Sequence, residues 1–261
     1  VFDNLPLQSL NDLIPFTLVL ARIGGLFAAM PTFGGKVVPN RVKTPLILAM
    51  GLVIFPIIKT HGIVGGTDSI SITLLTFREV LVGLTLGLLS QVIFTAIEFC
   101  GQQIGMQMGL TMASMFDPTS QAQVPTMAVF QGALATLVYL SLDVHHFFIR
   151  AMVESYQVLP IGAWHTSPGL LKFIIESTAG VFVLALKLAA PVAVALLATS
   201  VALGIVARSF PAMNVFMVSM PLNIGIGFLI LGLSLPVFVR VLAGTFGNLV
   251  VQMKVLFKLL A

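Results

Sequence analysis

Few side chains in this sequence of 261 residues could do chemistry, and they are thinly spread: 9 Asp and Glu, 4 His and a single Cys. His145 and His146 come nearest to a metal-ligating pair. They are adjacent, and neighbouring side chains on a helix diverge by about 100°. No cysteine or close acidic cluster completes a ligand set, so no metal site is expected. A helix cap or a polar contact suffices for the two histidines. Gly-x-Ser-x-Gly and His-Glu-x-x-His are absent, and no pair of acids is placed for intramembrane proteolysis. Cys100 has no partner for an internal disulfide and reads as packing. Catalytic, cofactor-binding and metal residues are therefore expected to be none, and the protein is expected not to be an enzyme.

The remaining chemistry is electrostatic. Arg22 lies in mid-run between Leu13 and Met30, Arg78 and Glu79 lie inside a second apolar run, and Glu98, Lys187 and Arg208 fall where lipid would be a poor neighbour. A charge at the bilayer centre costs about 2.5–3.5 kcal/mol on insertion scales, so several in one chain imply partners. Arg22, Glu98 and Arg208 are the candidates for buried or interface charges; snorkelling to a head-group or facing a water-filled space is the alternative. The 13 basic residues give a formal charge of +4 but form no run able to track a phosphate backbone, which argues against nucleic acid. Asp3 and Asp12 precede the first basic residue, the wrong polarity for the start of a secretory signal peptide.

These charges must be held by very apolar elements. With 58% hydrophobic and 8% charged residues and a mean hydropathy of +1.09, the chain has too little polar surface to clothe a soluble globule. It belongs to a membrane or a membrane-borne assembly. Apolar windows run over Leu13 to Met30, Thr44 to Ile58, Leu74 to Phe99 and Val124 to Leu142, then almost continuously from Leu170 to Leu260. Crossing a bilayer as a helix takes roughly 20 residues, and no run alternates like a barrel strand. The fold class is thus all-α, a single domain over residues 1–261 with no separate soluble part. Thr32 to Thr44 carries Lys36, Arg41 and Lys43 without an acid, a cytoplasmic signature. Lys59 to Ser71 reads as a flexible turn and Asp143 to Pro168 as a polar connection. Pro191, Pro211, Pro221 and Pro236 cut the last tract, and each is expected to kink or end a helix. Broken helical pieces need other protein or water around them. The two halves show no convincing internal repeat, which counts against a small-molecule transporter, the alternative that mid-span charges and broken helices would otherwise suggest.

Small residues mark close approaches. Gly83 and Gly87, then Gly101, Gly105 and Gly109, recur every four residues and would bare one helical face to a neighbouring backbone. If that helix continues, Met108, Met112 and Met115 fall about 100° around from the glycines, with Phe116 beside Met112. Asp117-Pro118 would stop the helix, and Pro125 would open the next. Methionine can fill a core or seal an irregular gap and still give way; the Asp-Pro and Gln-rich loop attached to this stripe favours the second use.

The stretch GIVARSFPAMNVFMVSMPLNIGIGF, with Arg208, Pro211, Asn214, Phe216 and Pro221 in order, resembles the signature region of the FliR export-gate family, flagellar and virulence type III secretion members alike. GLTMASMFDPTSQAQVP followed by DVHHFFIRAMVESYQVLPIG, which contains His145, fits the same family, as do the opening arginine helix and the PTFGGKVVPNRVK loop. Ala212 and Val144 depart from residues common in the family. The resemblance implies a subunit packed with FliP-like and FliQ-like proteins, and with an FlhB-like one, into a helical hetero-oligomeric export gate in the bacterial inner membrane. The gate stands at the base of the flagellar basal body, with much of the chain above the bilayer plane on the periplasmic side. Unfolded exported proteins would pass through it. Gly109, Met112, Met115, Phe116, Asp117 and Pro118 would belong to the loop that plugs its pore.

Overall fold

A computed structural model of the chain describes residues 13–34, 38–58, 68–110, 125–164, 167–210 and 214–260, the side chains of Thr32 and Phe216 excepted. The regular elements among these residues are all helical: α1 (Leu13–Ala29), α2 (Pro31–Gly34), α3 (Asn40–Ile54), α4 (Ser69–Gln107), α5 (Thr126–Ser141), α6 (Val144–Val158), α7 (Pro168–Ser209) and α8 (Val215–Leu260). The all-α expectation holds. By length and composition α4, α7 and the Met217–Leu260 part of α8 could each cross a membrane, and α5 with α6 passes the same test only as a broken pair.

The prolines behave differently from the expectation. Helix α7 runs through Pro191, and α8 runs through both Pro221 and Pro236. The tract after Leu170 is therefore two long helices, not a series of fragments. Each proline removes one i→i−4 hydrogen bond at a cost of about 3 kcal/mol in a helix interior. Ending the helix would free up to four carbonyls and four N–H groups in surroundings that offer them no water. One lost bond is the cheaper outcome, and Pro221 stands only in the second turn of α8.

The chain divides into two compact units. The first comprises residues 1–92, 143–177 and 247–261. In it α1 turns Leu18, Val19, Arg22, Ile23 and Leu26 inward at helical spacing, and Val82, Leu86, Phe148, Met152 and Leu256 join them in the core. Helices α1 and α4 meet backbone to backbone. A Cβ on Gly25 would stand 2.5 Å from the Val80 carbonyl oxygen, one on Gly87 would stand 2.8 Å from that of Leu26, and one on Gly83 would overlap that of Arg22.

The second unit comprises residues 93–142 and 178–246. Its core joins Ile97, Cys100 and Ile104 of α4, and Met108 just after it, to Ala135 and Tyr139 of α5, Leu196 of α7 and Leu242 of α8. Phe94, Tyr139 and Phe246 make a three-ring cluster with centroids 5.6–6.2 Å apart. A Cβ on Gly101 would strike the backbone of Ala128, whereas one on Gly105 would lie at an ordinary 3.5 Å from the Met127 Cβ.

Candidate functional site

The strongest electrostatic feature is buried in the first unit. Arg22 of α1 is fully buried and Glu79 of α4 is 1% exposed. Arg22 Nε donates to Glu79 Oε2 at 2.6 Å, and Nη1 donates to Ser155 Oγ and to the Leu159 carbonyl, each at 3.1 Å. The guanidinium lies 4.1 Å from the centre of the Tyr156 ring, and the Tyr156 hydroxyl donates to the Val19 carbonyl. The other Glu79 oxygen accepts the Gly162 N–H at 3.1 Å. Three helices and the turn after α6 are thus tied to one guanidinium. Guanidinium suits this place because its planar fork reaches several acceptors at once and it keeps its charge.

Among the sequence-derived charges, Arg22 finds its partner within the same chain. Glu98 and Arg208, expected as buried or interface charges, are both exposed on this chain. The core stripe of α4 passes through Ile97, Cys100 and Ile104, which turns Glu98 outward. Arg208 stands in the last turn of α7, where a cation complements the negative end of the helix. Ser155, Tyr156 and Gly162 escaped sequence reasoning. The available signal was a pair of opposite charges, Arg22 and Glu79, set in two separate apolar runs.

The end of α4 also differs from the expected continuation. The helix stops at Gln107, and Gly109 takes a φ of +80°. The Leu110 N–H bonds to the Gly105 carbonyl at 3.0 Å and the Gly109 N–H to that of Met106 at 3.1 Å. This pair of bonds around a left-handed glycine is a Schellman cap. Gly109 therefore closes the helix instead of extending the packing stripe of Gly101 and Gly105. The last turn is seated on α8, because Met108 packs where a Cβ on Gly227 would stand, 2.7 Å from its Cγ. Met112, Met115, Phe116, Asp117 and Pro118 lie outside the described residues, as does Pro211.

Two of the signature residues have plain mechanical placements. Asn214 stands at the start of α8, and its Oδ1 accepts the Met217 N–H at 3.4 Å, the geometry of an N-cap. Pro221 is exposed in the second turn. His145, in the first turn of α6, lies with His146 and Asp143 in one cluster. Their ring centroids are 4.1 Å apart, so the expected divergence of the two histidines does not occur.

The exposed surface of α7 and α8 is mostly apolar, interrupted by Lys172, Glu176, Lys187 and Arg208 on α7 and by Arg240, Lys254 and Lys258 on α8. Large exposed side chains run from Leu171 through Phe182, Leu197 and Ile205 to Phe210, and from Met217 through Leu229 and Leu233 to Val255. At 1.5 Å per residue the 42 residues of α7 and the 46 of α8 correspond to about 63 and 69 Å of straight helix. A bilayer has a hydrocarbon core of about 30 Å, and helices tilt by up to about 40°. Even at that tilt about 26 residues cross the hydrocarbon, fewer than either α7 or α8 contains.

The family described as "Bacterial export proteins, family 1" matches residues 13–249. A flagellar biosynthetic protein FliR of Bacillus subtilis (strain 168) is 32% identical over 256 residues, covering 95% of this chain and 96% of that protein. The FliR of Pectobacterium carotovorum subsp. carotovorum is 33% identical over 222 residues, 85% of this chain and 83% of that protein. The FliR of Escherichia coli (strain K12) is 29% identical over 217 residues, 83% of this chain and 82% of that protein.

Proposed function

This chain belongs to the bacterial export proteins of family 1, and on that premise we propose that it is a structural, pore-forming subunit of the flagellar type III protein export gate in the bacterial inner membrane. It is not an enzyme. The flagellar reading is favoured over a virulence secretion system because the relatives named above are flagellar biosynthetic proteins. The observation that carries the gate reading is the exposed apolar surface along α7 and α8, helices of 42 and 46 residues that are about twice the length a bilayer needs and bear exposed charges among their apolar residues. Sister subunits of FliP-like, FliQ-like and FlhB-like type supply the remaining cover, with part of the chain above the bilayer on the periplasmic side. Glu98 and Arg208 are then interface charges.

The segment after the α4 cap is the plug. A channel for unfolded chains needs a closure that holds back ions and yields to varied side chains, and a pliable apolar constriction that dewets when closed meets both demands. Met112, Met115 and Phe116 form this subunit's share of it, and Asp117-Pro118 sets the bend. The cap at Gly109 and the seat of Met108 on α8 give the loop a fixed root. Deletion of Thr111 to Gln121 leaves assembly intact and raises ion conductance through the closed gate. Unchanged conductance in a fully assembled deletion variant overturns the plug assignment.

A further inference from the structure

We propose that Asp143, His145 and His146 form a binding site for a divalent first-row transition-metal ion of the zinc type. One carboxylate oxygen and one ring nitrogen from each histidine all lie within 4.8 Å of one another. Asp143 Oδ1 is 3.1 Å from His146 Nδ1 and 3.9 Å from His145 Nε2. Metal–ligand bonds of about 2.0–2.2 Å to nitrogen and oxygen place tetrahedral donors roughly 3.4 Å apart. The three donors reach that spacing by small rotations of side chains that are 72%, 26% and 60% exposed, in chain order.

The backbone supports the assignment independently. Asp143 is the only non-glycine residue with a positive φ among the described residues, at φ 53° and ψ 28°. It occupies the N-cap position of α6, where an aspartate ordinarily accepts a backbone N–H, yet its side chain makes no capping bond. An extended N-cap backbone and a side-chain bond to the helix are the ordinary arrangement, and both are forgone here. In exchange the carboxylate faces two imidazoles. Two ring nitrogens and one carboxylate oxygen suit zinc and its first-row neighbours and do not suit magnesium or calcium, which take oxygen sets. Exposure leaves the remaining coordination positions to water. A bound ion would hold Asp143 in its turn and fix the start of α6, the helix whose far end presents Ser155 and Tyr156 to Arg22. Nothing in this inference depends on the gate reading.

The test uses the full chain with whatever subunits co-purify, isolated without a polyhistidine tag. After equilibration with zinc chloride and removal of free metal, bound zinc is measured by mass spectrometry, and cobalt(II) is added separately to read its ligand-field absorption. About one zinc per chain is expected, together with a four- or five-coordinate cobalt spectrum. His61→Gln/His165→Gln should retain both signals, and His145→Gln/His146→Gln should lose both. Asp143→Gly removes a ligand while relieving the strained φ, so it should bind zinc roughly tenfold or more weakly and unfold no sooner than the metal-free parent. Absence of stoichiometric zinc from the parent overturns the proposal, as does equal zinc uptake by Asp143→Gly or by His145→Gln/His146→Gln.

Discussion

Glu79→Gln is the sharpest perturbation of the first unit, because it keeps the shape of the side chain and removes its charge. Arg22 is fully buried and Glu79 is 1% exposed, so solvent screens the pair very little. Removing one partner of a buried pair costs about 3–5 kcal/mol. Ser155 Oγ, the Leu159 carbonyl and the Tyr156 ring stay in contact with the guanidinium, and the amide oxygen of the new Gln can still accept one N–H, which places the expected loss near the low end, about 3 kcal/mol. At 1.4 kcal/mol per decade that is roughly a hundredfold shift of the unfolding equilibrium. The assay is denaturant unfolding of the complex in mild detergent, followed by loss of helical circular dichroism. The companion Arg22→Met/Glu79→Leu removes both charges, leaves none unpaired, and should recover most of the loss. A Glu79→Gln protein within about 0.5 kcal/mol of the parent would refute the reasoning, since that is the range of an ordinary surface substitution. So would a double variant no more stable than the single one.

The close approaches make paired predictions. Gly83→Ala should lower the unfolding midpoint markedly because its methyl meets the Arg22 carbonyl, whereas Gly24→Ala, with nothing within 4 Å of the added carbon, should be neutral or gain up to about 1 kcal/mol of helix propensity. Gly101→Ala should destabilise through the Ala128 backbone and Gly105→Ala should be tolerated, read in the same assay. Gly109→Ala forces a left-handed φ on a residue with a Cβ and should cost about 1–2 kcal/mol, with Gly109→Asn costing less. Asn214→Ala should lose about 1 kcal/mol and show faster hydrogen exchange at Met217 than the parent.

Hydropathy and spacing made the helices and the glycine approaches at residues 83, 87 and 101 readable, because both follow from local periodicity. Four features were not. The prolines were expected to fragment the last tract, but local propensity takes no account of how much more it costs to free several backbone groups than one. Gly109 fell on a four-residue repeat that suited packing, and only its φ shows that it ends the helix. The partners of Arg22 come from residues 57, 133 and 137 positions away, separations at which no helical period carries information. His145 and His146 were read as diverging on a regular helix. The left-handed turn at Asp143 sets them at the helix start, and Asp143 supplies the acid that the linear reading found lacking.

The central claim is that protein, with lipid covering at most a part, surrounds the exposed apolar side chains of α7 and α8. Photoreactive amino acids placed singly at Leu171, Phe182, Leu197, Ile205, Met217, Leu229, Leu233 and Val255 in living cells test it most directly. The account predicts adducts to other small hydrophobic proteins along each helix, including positions at both ends. Adducts to lipid alone at every position would contradict it.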